Sequence, residues 1–314
     1  MEEFYVGIDL GGTSIRVVAC DKGSKKISKI KKEPLIRKEN IKEEIDNNLI
    51  SLINLVCLEK SAAGKKLGGI GIAMAALFDR ETGTIVSWPN NKKWNGFPLM
   101  QYLKEIYKVP VVFEDDANAA AIGEQIAGAG KGYKDLAYVT VSTGIGCGII
   151  INNNLLTGAH GWAGELGHIK TADSKTVCTC GAKGCLQAVA SGSAIRKAYL
   201  NKEPASDIEV KEIVIRAGKG DLSAKAVFEE AGTYIGDALA NLVMILDVPV
   251  IILGGGVIEA GDLIIAPILK QFRESLQEKR SAKIVKSKLN DKNGVIGALA
   301  FIDKNINGEH TIVL

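Results

Sequence analysis

The spacing of apolar and polar positions changes period several times along this 314-residue chain, and each change marks a new element. The stretch "FYVGIDLGGTSIRVVAC" (4–20) reads as two β-rich runs around the turn "DLGGT" (9–13). A second stretch, "LAYVTVSTGIGCGIII" (136–151), repeats that design around "STGIGCG" (142–148). Two hairpins of one build, each near the start of one half, predict two lobes of similar architecture facing each other across a cleft. Helical apolar spacing covers 41–60, 97–108 and 223–247, while "LGGIGIAM" (67–74), "VPVVFE" (109–114) and "VPVIILGGG" (248–256) read as short buried strands. "VVFEDDANAAAIGE" (111–124) ends a strand and begins an Ala-rich helix. A last helix over 294–304 is apolar on most faces and is expected to be buried between the lobes. The alternation of β and α elements predicts an α/β fold. The boundaries expected are a small N-terminal lobe of residues 1–115 plus 296–314, and a larger C-terminal lobe of 116–295.

Composition sharpens this picture mainly by exclusion. With 46% hydrophobic and 24% charged residues the chain is an ordinary globular protein, long enough for two lobes. Its net charge of +3 comes from scattered residues, so no nucleic-acid partner is implied. The densest basic stretch, "KKISKIKK" (25–32), alternates Lys with Ile as a half-exposed strand does. The N-terminus carries two acids where a secretory signal needs positive charge, and no apolar run approaches the roughly 18–20 residues of a membrane helix. No membrane association is expected, and the implied location is cytoplasmic, where disulfides are uncommon.

The chemistry concentrates at a few places. Glycine turns let backbone N–H groups approach an anion, and three occur: "DLGGT", "STGIGCG" and "LGGG" (253–256). Each alone is compatible with an ordinary turn. "GAGKGY" (128–133) lacks the Ser or Thr of a Walker loop, and "GIGCGI" sits in a hairpin and lacks the GxGxxG spacing of a dinucleotide fingerprint. Asp9 beside Gly11, Gly12 and Thr13 offers a carboxylate for Mg²⁺ next to donors for phosphate, the parts that phosphoryl transfer requires. Asp116, near a helix start, reads either as an N-cap acid or as a general base facing a substrate hydroxyl. In "GAHGWAGELGH" (158–168), Glu165 and His168 are three apart and share one side of a turn. His168 precedes "CTCGAKGC", whose Cys178, Cys180 and Cys185 complete a Cys₃His set, the pattern of a structural zinc site. A disulfide would leave one of these three thiols unpaired. Cys20, Cys57 and Cys147 lie in apolar runs and read as buried hydrophobes.

The three glycine turns, in this order, resemble the actin, hexokinase and Hsp70 superfamily of two-lobed ATPases. Together "DLGGT", "EDDANAAA", "STGIGCG", "GELGH" and "CTCGAKGCLQAVASG" closely resemble the ROK family of repressors and sugar kinases, from Gly7 to about Gly297. The resemblance implies a two-lobed actin-like (ribonuclease H-like) ATPase fold with an interlobe cleft. It implies an ATP-dependent kinase acting on the 6-hydroxyl of a hexose, glucose first, with N-acetylmannosamine, N-acetylglucosamine, fructose and allose as alternatives. Asp116 would be the base. Asn90, Asp115, Glu165, His168 and Gln187 would contact the sugar, with His168 also a zinc ligand. Asp9, Gly11, Gly12, Thr13, Thr143, Gly144, Gly254, Gly255 and Gly256 would bind ATP and Mg²⁺. A homodimer is the family expectation. The non-enzyme alternative, a sugar-responsive repressor, carries a DNA-binding domain before "DLGGT", where this chain has eight residues. Three departures bear on which sugar fits: Asp115 replaces the usual Asn, Gln187 the usual Glu, and "AMAALFD" (73–79) the usual Pro-Gly turn. The first two exchanges keep the number of carboxylates in the expected sugar pocket while trading their positions.

Overall fold

The computed structural model describes residues 2–24, 26–171, 175–204 and 208–308. Lys25 of the basic stretch, residues 172–174 before the cysteines and the tail from 309 lie outside the described residues. The chain divides into two compact units, Met1–Lys131 with Asp291–Leu314, and Gly132–Asn290. These limits differ from those read from the sequence because the Ala-rich helix α4 (Asp116–Ala127) packs on the C-terminal helix α10 (Asn293–Asn307) and so stays with the first unit.

Among its described residues the first unit holds a five-stranded sheet of β1 (Glu3–Leu10), β2 (Ser14–Asp21), β3 (Lys31–Pro34), β4 (Lys66–Met74) and β7 (Val111–Glu114), in the order β3-β2-β1-β4-β7. The first three strands pair antiparallel, and β4 and β7 join parallel to β1. A small ribbon of β5 (Leu77–Phe78) and β6 (Ile85–Ser87) lies apart from it. The basic stretch is a partly exposed edge: Ile27 bridges to Cys20, and β3 begins at Lys31. Pro110, which has no N–H to donate to a ladder, precedes the start of β7. The helix expected over 41–60 is broken into α1 (Ile41–Ile45), a π-turn Asp46–Ile50 and α2 (Ser51–Ser61). The Asn48 amide donates to the Glu44 carbonyl (2.6 Å) and to Ile36 O (2.8 Å), so a side chain competes for the carbonyl that the regular ladder would use. The helix expected over 97–108 is α3 (Leu99–Tyr107), closed by Lys108 in the left-handed region.

α10 lies against its own unit's sheet. Gly71 of β4 faces the Ala298 carbonyl, Gly7 of β1 faces Val295 and Leu299, and Gly297 of α10 faces the Ala119 carbonyl of α4. A Cβ at any of these positions would collide with backbone or a core side chain, so glycine is what allows α10 to approach the sheet and α4 so closely.

The second unit repeats the plan. β8 (Leu136–Val141), β9 (Ile145–Ile151), β10 (Asn154–Leu155), β11 (Val250–Gly254) and β12 (Lys283–Lys286) are ordered β10-β9-β8-β11-β12. Again the first three are antiparallel and the last two are added parallel. The hairpin repeat seen in the sequence is therefore a repeat of the whole sheet. Helices α5 (Leu186–Ala190), α6 (Gly192–Lys202), α7 (Val210–Gly218), α8 (Leu222–Leu246) and α9 (Asp262–Ser275) accompany it. α8 starts where Asp221 caps Ala224 N (2.9 Å) and buries its apolar face in the unit's core.

The close packing of α10 is testable. Gly297→Ala should destabilise the protein by about 1–3 kcal/mol through overpacking, seen as a lower Tm. Gly218→Ala, at the end of α7 with nothing near the added methyl, should leave Tm unchanged or slightly higher.

Candidate active site and metal centre

In the first unit the hairpin register sets Asp9 of β1 directly across from Arg16 of β2, and the guanidinium pairs with the carboxylate at 2.9 Å. Burial pushes the Asp9 carboxyl above its ordinary value, and Arg16 opposes that rise. Arg16 also reaches Asp291 (3.3 Å), just before α10. The Gly11 N–H closes the turn on Ser14 O (3.0 Å), so Gly11 shapes the loop more than it offers a donor. Gly12 lies under Asn90: a Cβ there would come within 2.7–2.9 Å of the Asn90 side chain.

Asp115 and Asp116 divide the labour at the start of α4. Asp115 is the N-cap, accepting from Ala117 N (2.9 Å) and Asn118 N (3.4 Å), so the capping reading belongs to it and not to Asp116. Asn caps equally well, so the expected exchange of Asn for Asp at 115 leaves this role intact. Asp116 follows in the first turn. Burial, then the neighbouring charges of Asp115 and Asp9, raise its carboxyl well above the usual carboxylate range. The start of α4 is held by Glu114, a fully buried carboxylate that pairs with both terminal nitrogens of Arg80 (2.9 and 3.2 Å) and accepts from Asp115 N and Asn118 Nδ2.

In the second unit, the turn after β8 is closed by Ser142 N to Gly144 O (2.9 Å), with Thr143 exposed. The third glycine turn packs beside it. Gly255 has φ +93° and faces the Val141 carbonyl, and Val257 N bonds to Val141 O (3.0 Å). Gly254 is buried against Tyr138, and Gly256 is exposed.

The ligand atoms of His168, Cys178, Cys180 and Cys185 all lie within 4.8 Å of one another. A 3-10 turn, Leu166–His168, presents the imidazole with Nδ1 3.7 Å from Cys178 Sγ and Nε2 3.7 Å from the exposed carboxylate of Glu165. One ring nitrogen thus faces the thiols while the other lies beside a carboxylate, an arrangement open to metal binding. The cysteine loop folds on itself through Cys178 N to Ala182 O and Gly181 N to Cys178 O, with Gly181 and Gly184 at positive φ. Two further groups serve the thiols. Lys170 Nζ lies 3.0 Å from Cys185 Sγ, and Gln187 Nε2 lies 3.4 Å from Cys178 Sγ and 3.2 Å from Thr179 Oγ1. Burial opposes ionisation of Cys178, but hydrogen bonds from the Cys180 backbone, Gln187, Cys180 and Thr179 outweigh it and bring the thiol down to about 6. Three thiols, one of them biased towards thiolate, and an imidazole suit a tetrahedral Zn²⁺. By contrast, desolvation drives the thiols of buried Cys20 and half-buried Cys57 up to about 11, as inert thiols behave.

The structure thus brings Asp9, Gly12, Asn90, Asp115 and Asp116 into the first unit, and Thr143, Gly144, Glu165, His168, Gln187, the three cysteines and Gly254–Gly256 into the second. Gln187, expected at the sugar, is placed here by its contacts at the thiols. Its amide holds Cys178 and Thr179, and its carbonyl lies 3.5 Å from Ile145 N at the second glycine turn. Sequence reasoning missed Arg16 and Lys170. Counting back from the "DLGGT" turn would have set Arg16 across from Asp9, whereas nothing local marks Lys170.

A five-stranded sheet used twice, each copy with a glycine turn in its first hairpin, is the build of an actin-like ATPase. The chain matches the ROK family over residues 5–305 and belongs to that family. It is 33% identical to the glucokinase of Halalkalibacterium halodurans over 285 residues, 86% of each chain. It is 30% identical to the xylose repressor of Caldicellulosiruptor bescii over 95% of this chain and 77% of that one. Among solved structures, a ROK family glucokinase from Streptomyces griseus in complex with glucose and AMPPNP is 32% identical, with a TM-score of 0.77 over 95% of this chain and 98% of that one.

The raised carboxyl of Asp116 makes a stability prediction with a definite sign. The folded state holds this proton more tightly than the unfolded chain, so its buried charge lowers stability once the pH climbs past the unfolded value, and fully so above the folded one. Asp116→Asn should therefore have a higher Tm than the wild type near pH 8. The difference should shrink towards zero as the pH falls to about 4, the ordinary carboxylate value. Thermal melts across that range read it directly.

Proposed function

We propose that the protein transfers the γ-phosphoryl group of ATP to the 6-hydroxyl of a hexose, with glucose as the first candidate substrate. The broader statement, that the chain is a sugar kinase, follows from its family and its glucokinase relatives. The finer reading rests above all on Asp116, a partly exposed carboxylate that desolvation and two neighbouring charges make more basic than usual and that Asp115 releases from capping. In the reaction the hydroxyl oxygen attacks the γ-phosphorus, its proton passes to the Asp116 carboxylate, and the bond from phosphorus to the β-phosphate oxygen breaks to release ADP. The glycine turns at 9–13 and 142–148 would take the phosphates, and Gly254–Gly256 the adenosine. A magnesium ion, held by Asp9, would neutralise phosphate charge. Glu165, His168, Asn90, Asp115 and Gln187 would hold the sugar, Asp115 while also capping α4 and Gln187 while also holding the cysteine loop.

His168, Cys178, Cys180 and Cys185 would hold one structural zinc ion, bracing the edge that carries Glu165. The cytoplasmic location expected from the sequence, and the homodimer implied by the ROK resemblance, belong to the same proposal. All six cysteines are free among the described residues, which suits a reducing compartment, and no described helix is long and apolar enough to cross a membrane.

The likeness to a xylose repressor gives the second reading, a sugar sensor without catalysis. A coupled ADP-release assay over glucose, fructose, allose and the N-acetylhexosamines separates the two. The kinase releases ADP only with its sugar, and Asp116→Asn lowers turnover by about 10²–10⁴ while ATP binding changes little. Sugar binding with no ADP release for any sugar leaves the repressor reading standing.

Elemental analysis should find about one zinc per chain, and a chelator that strips it should lower Tm. Gln187→Glu replaces an amide donor with a carboxylate beside the Cys178 thiolate, so this variant should lose zinc to the chelator about tenfold faster. Retention equal to the wild type would remove Gln187 from the metal's surroundings.

A further inference from the structure

The segment between β3 and α1 contains an arginine whose contacts converge on the first glycine turn. Arg37 Nη2 donates to Gly12 O (2.7 Å) and to Asn90 O (2.9 Å), and Nη1 lies 3.3 Å from Glu44 Oε1. The guanidinium also stacks over Trp88, 5.7 Å from the ring centre. Glu44 is fully buried and is satisfied from several sides: by Asn91 Nδ2 (2.5 Å), Trp94 Nε1 (3.1 Å) and Lys38 N (2.8 Å) besides Arg37. A buried carboxylate with that many donors is a fixed anchor, and its attraction holds Arg37 in one geometry.

Pinning the Gly12 carbonyl has a consequence for the phosphate turn. The peptide between Gly12 and Thr13 is planar and trans, so its N–H points opposite to its C=O. With the carbonyl drawn to Arg37, the Thr13 N–H is aimed away from Arg37. The same guanidinium holds the backbone of Asn90, whose side chain covers Gly12. We infer that Arg37, braced by Glu44, is a positioning residue that presets the Gly11–Thr13 turn for a nucleotide phosphate and locks the Asn90 loop onto that turn. The inference rests on the kinase reading for the identity of the ligand, but not for the geometry. A lysine cannot replace this arginine, because one ammonium lacks the planar fork that serves a carboxylate and two carbonyls together.

The test uses the full-length protein with Arg37→Met, which keeps an apolar stem over Trp88, and Arg37→Lys, which keeps the charge. AMPPNP affinity is measured by calorimetry, and KM and kcat by ADP release. In both variants the Kd for AMPPNP and the KM for ATP should rise about tenfold, the usual weight of a charge-assisted contact, with kcat within about threefold of wild type. A variant that melts as the wild type does and binds AMPPNP with unchanged affinity overturns the inference, as does a fall in kcat alone, which would mark a merely structural loss of active protein. If Arg37→Met does not fold, Arg37→Lys decides by the same two readouts. If the wild type phosphorylates no sugar, the kinase reading fails, while AMPPNP binding in the variants still tests the turn.

Discussion

The first unit depends on the backbone-to-backbone contact of α10 with β1, β4 and α4. Gly7, Gly71, Gly123 and Gly297 each stand where a methyl group would run into a carbonyl or a core side chain. Dispersion and apolar burial are strongest when surfaces close without voids: Gly7 and Gly71 let α10 lie on the sheet, and Gly123 and Gly297 let it lie on α4, more tightly than ordinary residues would allow. The chemistry follows from that closure. Gly294, in the first turn of α10, lies against Asp9, with its added Cβ position 3.0 Å from the carboxylate carbon. α4, carried by the same helix, presents Asp116 from its first turn.

Buried carboxylates do different jobs in this unit according to what surrounds them. Glu44 and Glu114 are fully buried, and each is surrounded by donors and an arginine, so each serves as an electrostatic anchor that fixes neighbouring backbone. Asp9 is shared with Arg16. Asp116 has desolvation and two like charges working against its ionisation. A chain that ionises a carboxylate in such a place gives up stability there.

The second unit shows a polar version of the same economy of position. A short loop turned by Gly181 and Gly184 brings three thiols to one imidazole, and Gln187 on α5 ties that loop to the start of β9. The substitution that reads as a change in sugar contact is, in the folded chain, also a change in what supports the thiols. An amide can donate to a thiolate, and a carboxylate cannot.

Sequence alone determined the elements and chemistry that local patterns specify. The two hairpins, the long α8, the Ala-rich start of α4 and the Cys₃His spacing all depend on residues within a turn or a few turns of one another, where periodicity and glycine placement are decisive. It also predicted α/β order. What it left open were pairings across long separations: Arg37 with Gly12 and Asn90, Glu44 with Asn91 and Trp94, and Arg80 with Glu114. Even the unit boundary moved, because α4 follows β7 in sequence yet belongs with α10, some 170 residues away, through glycine contacts that no local pattern reveals. Whether an acid caps a helix, anchors an arginine or takes a proton is set by burial and by which charges lie within a few ångströms, and only the folded chain supplies those distances.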